Sequence, residues 1–575
     1  MNIYTVTILL SVLSYVIIGN YVGRRVKNLE DYFVINRQAP TLLIAGTLVA
    51  SYLSTNTFMG QAGFNYSVHG GLTLLPALMT TGYIYGALYF GRYLRRSNVL
   101  TVADYFGKRF NSRRVQVIAS ITVLVGISFY LIAVTQALAL ILSNLTPLSY
   151  NWSLVVGWFS YTLFTTYAGS RGVVITDTMM FLFFTVITFV AMFAIFDAHG
   201  GWFAVMDGLV HMESKPNLMS WFGMPSPGQW ETPAEFLIWF TIIMIAWSFV
   251  TAISPWQSSR YLMAKNEHVV IRSACIASIC VALVSAMVYA AATAVNLSNP
   301  AIEPRDEVLV WAAKNLLSPI VGALLLACLV AAALSSASTF LSLIGFNFSN
   351  DIIQRKNQED KAKLKFSRQM MIVSGLLILT ASVLLPQNIL WFTYFAGTLF
   401  ASAWGPVALM SVWSDRITAS AAFWGITTGF LGNSIPKLLV SLKLIVLPVY
   451  LDPILIGAVI SLVVVLIISA RTQVTDNERQ YRLSLLETPS EEQSAKESKV
   501  TMRFIYGVAL FGIGTAALML YFYVAPFQRS MIEEGVSFKF DWFTGEALFA
   551  YAWAIVFVPL AYLLYRGVRK DYVSK

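Results

Sequence analysis

The feature that most constrains this 575-residue chain is a succession of apolar runs, each 18 residues or longer. A helix of that length crosses the roughly 30 Å hydrocarbon core of a bilayer. Only helices or closed barrels satisfy their own backbone groups there. About fifteen such runs are legible: 3–21, 41–66, 71–91, 115–143, 150–168, 173–198, 234–254, 273–297, 319–350, 369–386, 390–413, 419–436, 450–470, 503–526 and 543–565. Residues are 57% hydrophobic and 12% charged, about half the charged fraction of a soluble chain. The expectation is an all-α polytopic membrane protein with about fifteen transmembrane helices.

The net charge of +10 does not point to nucleic acid, because the basic residues cluster at the ends of apolar runs, where they set topology. With the N-terminus outside, one face receives Arg24–Arg25, Arg95–Arg96, Lys108–Arg109, Arg113–Arg114, Arg355–Lys356, Lys361, Lys363, Lys365, Arg566, Arg569 and Lys570. That face holds about thirty of the 39 Lys and Arg, as the positive-inside rule requires of the cytoplasmic side. Cys275, Cys280 and Cys328 all sit in apolar segments and make neither a metal set nor a disulfide framework. Residues 3–21 lack a basic n-region and a small-residue cleavage site, so they read as an anchor. Residues 199–233 form the longest outer loop, and 471–500 read as a polar, mobile cytoplasmic linker. No catalytic domain fits between the spans, which disfavours an enzyme.

Two runs are interrupted by polar residues at mid-depth. One carries Ser51-Tyr52-Leu53-Ser54-Thr55-Asn56-Thr57 and the other Thr251-Ala252-Ile253-Ser254-Pro255-Trp256-Gln257. Proline removes a donor and disfavours helix in the residue before it. The two runs are an odd number of spans apart and cross in opposite directions, and broken helices at matching positions of inverted halves point to a transporter site. A third signal is the stretch Val330–Thr339, in which Ala332, Ser335, Ser336 and Thr339 share one helix face. Such a face suits close helix packing; equally, its oxygens suit a small hard cation such as sodium.

Asp31-Tyr32-Phe33, Leu100 through Phe106, Gly169 through Asp177, and Ser335-Ser336 followed by Asp351-Ile352 occur in an order and spacing that resembles the solute:sodium symporter family. The resemblance covers roughly residues 1–470 and implies a LeuT-like 5+5 inverted-repeat bundle. It implies these units: 1–40, an N-terminal span and cytoplasmic loop; 41–198, a first five-helix repeat; 199–233, an extracytoplasmic loop; 234–413, a second repeat; 414–470, peripheral spans; 471–500, the linker; and 501–575, two C-terminal spans and a tail. The family's common sodium site carries over to the carbonyls of Ala50 and Leu53 with Ala332, Ser335 and Ser336. A second site found in some members carries over to Asp177, Ser335, Ser338 and Thr339. An unpaired carboxylate at membrane depth is costly, so Asp177 needs a cation, a proton, Arg171 or a neighbouring hydroxyl.

Sugar-carrying relatives have polar residues where this chain has Thr57, Pro76–Ala77 and Val281. Ala246–Trp247, Pro255 and Arg260 instead resemble the proline and pantothenate branch. The resemblance therefore implies sodium-coupled symport of a small amino acid or monocarboxylate, with Ser54, Thr57, Trp247 and Thr251 at the substrate. Trp247 also fits ordinary membrane packing. A proton-coupled symporter of the same fold and a transporter-like sensor remain as alternatives. The expected partners are the solute, sodium ions and the lipid bilayer of the cell membrane, with no nucleic acid.

Overall fold

The computed structural model describes residues 3–26, 28–68, 75–225, 230–353, 359–532 and 537–573. Arg355 and Lys356, residues 71–74 of the third expected span and 226–229 of the outer loop lie outside them. Among the described residues the fold is helical. Its one extended feature is a bridge between Ala39 and Ala264, in which the Ala39 amide donates to the Met263 carbonyl and the Lys265 amide to the Ala39 carbonyl, each at 3.0 Å.

Helix α1 is Ile3–Gly23, and the first broken span is α2 (Thr41–Tyr52) with α3 (Asn56–Ser67). Helix α4 is Leu75–Gly86, extended by a π turn to Arg92–Arg96. Next come α5 (Arg113–Leu145) and α6 (Tyr150–Asp197), then the second broken span, α7 (Pro233–Ile253) with α8 (Pro255–Tyr261). They are followed by α9 (Glu267–Ala294), α10 (Pro319–Phe346), α11 (Asp360–Leu384), α12 (Ile389–Trp413), α13 (Ala419–Ser441) and α14 (Pro453–Arg471). The chain ends with α15 (Asp476–Leu486), α16 (Ala495–Met519) and α17 (Gly545–Tyr572).

Eleven of these helical stretches are long and apolar enough to cross a membrane, or twelve with the bent α2–α3 pair, against about fifteen expected. The expected runs 71–91, 150–168 and 419–436 account for the difference. The first is diluted by threonines, glycines and tyrosines and runs into Arg92, and the last by glycines, threonines and Asn433. Runs 150–168 and 173–198 are two helices joined at a kink within α6, of which the stretch Thr165–Asp197 is counted. Their junction is Gly169, at φ 57° and ψ −157°, where a Cβ would fall 2.3 Å from the Tyr32 ring. Only glycine takes that conformation at no steric cost.

The centre of the molecule is α10, buried over Leu325–Phe346, with α2, α5 and α6 packed on it. Helices α4, α7 and α9 form a second group against α2. Gly46 lets α2 approach α6 to backbone contact, since a Cβ there would lie 2.6 Å from Thr178 Oγ1 and 2.9 Å from its Cα. Helices α13 and α14 pair beside α12, and α16 and α17 pair beside α9 and α4. The linker expected to be mobile is ordered instead. Thr475 and Glu478 close a capping box that starts α15, which satisfies donors that would otherwise fray the helix.

Candidate functional site

The two broken spans break where the polar interruptions lie. Helix α2 ends at Tyr52; Leu53 turns out of helix at φ −72° and ψ 70°, and α3 leaves at 49° to α2. The Ser54 amide donates to the Tyr52 carbonyl at 2.7 Å, and the Thr57 amide to the Ser54 carbonyl at 3.0 Å. Those are the amides that would serve the Ala50 and Leu53 carbonyls in a continuous helix, so both oxygens are released from the ladder. In the second span Ser254 adopts φ −57° and ψ 146°, and Pro255 opens α8. Proline is tolerated at a first helical position because its missing donor is not needed there.

Helix α10 carries Ala332, Ser335, Ser336, Ser338 and Thr339, all fully buried. Ser335 Oγ donates to Asp177 Oδ1 at 2.9 Å, and Ser338 Oγ to the Ser335 carbonyl at 2.8 Å. The Ser336 hydroxyl is buried with no hydrogen-bond partner among the described residues. An orphan hydroxyl costs free energy, and on a helix packed against the one whose carbonyls are released it suits a cation with oxygen ligands. Of the expected first set, Ala332, Ser335 and Ser336 are therefore presented by one helix, and Ala50 and Leu53 by the break in a helix packed against it.

Asp177 is fully buried on α6. Thr47 of α2 donates to its Oδ2 at 2.6 Å and Thr339 does so at 3.5 Å. Arg260 of α8 donates to Thr339 Oγ1 and places Nη2 3.7 Å from Asp177 Oδ2. The carboxylate is thus met by three other helices and answered by one guanidinium. Arg171 pairs instead with Asp31, at 2.8 and 3.0 Å. Thr47 and Arg260 are partners of Asp177 that sequence spacing did not connect to it. The structure brings Ser335 and Thr339 to the carboxylate, while Ser338 bonds its own helix.

The expected substrate residues separate. Ser54 Oγ shares a hydrogen bond with Tyr130 Oη at 3.1 Å and accepts the Asn56 amide at 3.1 Å. Thr57 Oγ1 donates to the Tyr52 carbonyl at 3.3 Å, and Thr251 Oγ1 to the Met79 carbonyl at 2.9 Å. These three hydroxyls are engaged in holding the broken helices. Trp247 alone among the four lines a narrow cleft, with Asn56, Gln61, Trp239, Trp391 and Tyr394 on its walls. Asn56 Oδ1 is buried without a partner there. A second, narrow cavity lies beyond the ion residues and reaches Arg260, Thr339, Ser342 and Asn347. Sequence reasoning missed Asn56 and also Gln257, a fully buried amide whose nitrogen and oxygen both lack partners. The available signal was an amide side chain beside each break.

Asp351, expected only as part of a motif, is also fully buried. It accepts from Thr101 Oγ1 at 2.8 Å, Gln116 Nε2 at 2.7 Å and Asn350 Nδ2 at 2.8 Å, and so ties the end of α10 to the start of α5.

Comparison with known proteins agrees with this geometry. A model of the sodium:solute symporter family matches residues 32–429. The sodium/pantothenate symporter of Escherichia coli (strain K12) is 25% identical over 411 residues, covering 70% of this chain and 83% of that protein. The sodium/proline symporter of Salmonella typhimurium is 24% identical over 447 residues, covering 74% and 86%. The substrate-bound, outward-open structure of a Na+-coupled sialic acid symporter shares the fold, with a TM-score of 0.70 at 18% identity over 83% of this chain and 99% of that one.

Proposed function

Because the chain belongs to the sodium:solute symporter family, we propose that it imports a small organic solute, an amino acid or monocarboxylate such as proline, pantothenate or a short-chain acid, by coupling to sodium. It is a transporter of the membrane, as its relatives are. The reading extends to about fifteen spans in a 5+5 inverted repeat, with residues 41–198 and 234–413 as the repeats and the N-terminus outside. The two opposed breaks and the one-sided basic residues support it.

The observation that carries the reading is the orphan Ser336 hydroxyl beside Ser335, on a helix packed against one whose ladder is interrupted at Ala50 and Leu53. Sodium held between α2 and α10 joins a broken helix to the central one. Its binding therefore favours one arrangement of the two helix groups, as coupling requires. The Asp177 set, with Ser335, Ser338 and Thr339, is the second proposed ion site. Arg260 competes for the same oxygen, so filling that site requires the guanidinium to withdraw toward the neighbouring cavity.

The cleft supports the substrate class. Its walls are aromatic with two amides, and none of the described lining residues is charged. That suits a small solute with an apolar body and a few polar atoms. The test is uptake into proteoliposomes of a panel of amino acids, acetate, propionate, pyruvate and pantothenate, with sodium replaced by choline. One panel member should accumulate only with sodium. Accumulation that follows a proton gradient and ignores sodium would favour the proton-coupled alternative.

A further inference from the structure

Residues 472–501 lie beyond the part of the chain that matches the family, yet they make some of the most specific polar contacts in the molecule. The segment first grips the turn between α12 and α13. Glu478 Oε1 accepts the Ala419 amide at 2.7 Å, and Arg482 donates to the Val412 carbonyl at 3.4 Å. Arg109, fully buried in the short helix Val102–Arg109, donates to the Ser411 carbonyl at 2.5 Å and to the Glu478 carbonyl at 3.3 Å.

It then crosses to the ends of α4 and α9. Arg96, closing the extension of α4, donates to the Leu485 carbonyl at 2.8 Å and to Thr488 at 3.1 Å, and is ion-paired with Glu267 of α9. The Glu492 carboxylate accepts the Glu267 amide at 3.1 and 3.2 Å, and His268 meets the Glu492 carbonyl at 3.0 Å. Glu497 pairs with Arg272 at 2.7 Å. At the far end Ser498 Oγ donates to the Tyr572 carbonyl of α17 at 3.4 Å, and α17 is itself held by Tyr572 donating to Glu267 and Asp571 pairing with Arg92.

Helix α4 follows the first broken span, and α9 follows the second. The α12–α13 turn is packed through α12 on α5, and Trp413 there also donates to the Tyr89 carbonyl of the α4 extension at 2.9 Å. Between these places the segment holds one wall of the cavity lined by Leu100–Ala103, Arg260 and Thr339. Tyr481 donates to the Ser97 carbonyl at 3.4 Å, and Arg109, bonded to the Glu478 carbonyl, closes the helix that begins at Val102. Moving that wall outward would break these bonds.

We propose that residues 472–501 are an autoinhibitory strap across the inner end of the transporter, which must let go of one side before the inner cavity opens. The proposal rests on the sodium-coupled transport reading above for what the cavity does, but its contacts do not depend on the substrate. Its polar sequence is what such a device needs: a strap held by hydrogen bonds and ion pairs can release into water, whereas an apolar one could not.

The test uses the full-length protein with a protease recognition sequence inserted after Ser484, an exposed position between the contacts of Arg482 and those of Leu485, and Ser342→Cys as a reporter in the inner cavity. Modification by a membrane-impermeant maleimide is timed in detergent before and after cleavage, with sodium or choline. Cleavage should speed modification several-fold in choline, and Arg482→Ala with Glu497→Ala should do so without cleavage. Modification that cleavage and the double variant leave unchanged overturns the strap. A rate that cleavage raises but sodium never alters keeps the strap and removes the sodium reading, so the two failures are distinct.

Discussion

Ser335 and Ser336 are neighbours on α10, and the structure predicts opposite effects of removing their hydroxyls. Ser335 Oγ donates to the buried Asp177 carboxylate at 2.9 Å. A hydrogen bond to a charged group contributes about 1.5–3 kcal/mol, so Ser335→Ala should lower sodium-free stability by about that amount. Ser336 Oγ has no partner and is fully buried. In membrane proteins side-chain hydrogen bonds average about 0.6 kcal/mol and reach about 1.7, while an orphaned polar group costs about 1–3. Ser336→Ala should therefore leave sodium-free stability unchanged or raise it by about 1 kcal/mol. If the hydroxyl ligates sodium, losing a charge–dipole contact of about 1.5–3 kcal/mol raises the sodium concentration for half-maximal uptake roughly 10- to 150-fold, at 1.4 kcal/mol per decade. The assay is thermal unfolding of purified protein in choline and in sodium, alongside sodium titration of uptake. Ser336→Ala should lose most of the stabilisation that sodium confers on the wild type, by the mass-action link between binding and stability. If Ser336→Ala instead destabilises the choline form as much as Ser335→Ala does and keeps wild-type sodium dependence, the hydroxyl is a packing group and the first ion site is wrong.

Asp177→Asn should reduce the charges moved per solute if Asp177 holds a second sodium; reversal potentials in proteoliposomes check this, and unchanged values with normal expression confine it to pairing with Arg260. Trp247→Ala should raise the substrate concentration for half-maximal uptake at least tenfold while leaving sodium binding without substrate nearly intact; equal damage to both would make the ring part of the bundle's packing. Glu492 gives a pH test. Burial and, next, the Glu267 carboxylate push its carboxyl up to about 7, against the Glu267 amide and the guanidinium groups of Arg95 and Arg96, which lower it. His268, Arg272, Glu497 and Tyr572 complete the charged and titratable surroundings. Because the docked value lies above the undocked 4.5, docking is strongest at acid pH and weakens as pH rises toward and through about 7. Because the thiolate reacts with maleimide and its fraction itself rises with pH, the readout is the wild-type rate divided by that of Glu492→Gln at the same pH; this ratio should rise between pH 6 and 8, and a flat ratio would count against the docked carboxyl.

Local signals were legible in the sequence, and those that join distant parts of the chain were not. The hydroxyl face of α10 follows from i, i+3, i+4 and i+7 spacing alone, and the α7–α8 break follows from Pro255 and the residue before it. The partners of Asp177 follow from no local rule. Thr47 lies 130 residues away, and Arg260 lies on α8, past the break at Ser254. Arg171 looked like the nearer cation by sequence, but it sits two turns from Asp177 on α6 and reaches Asp31 instead. The linker shows the same contrast. High polarity argues for mobility when a segment has nothing to pair with, and the sequence of 471–500 names no partner. The partners are Arg96, read from sequence only as a helix-end charge that orients the protein, with Glu267, His268 and Arg272. Once paired, these groups make the ends of α4 and α9 a binding surface for the chain's own linker, so that a charge placed to set topology also serves the proposed restraint.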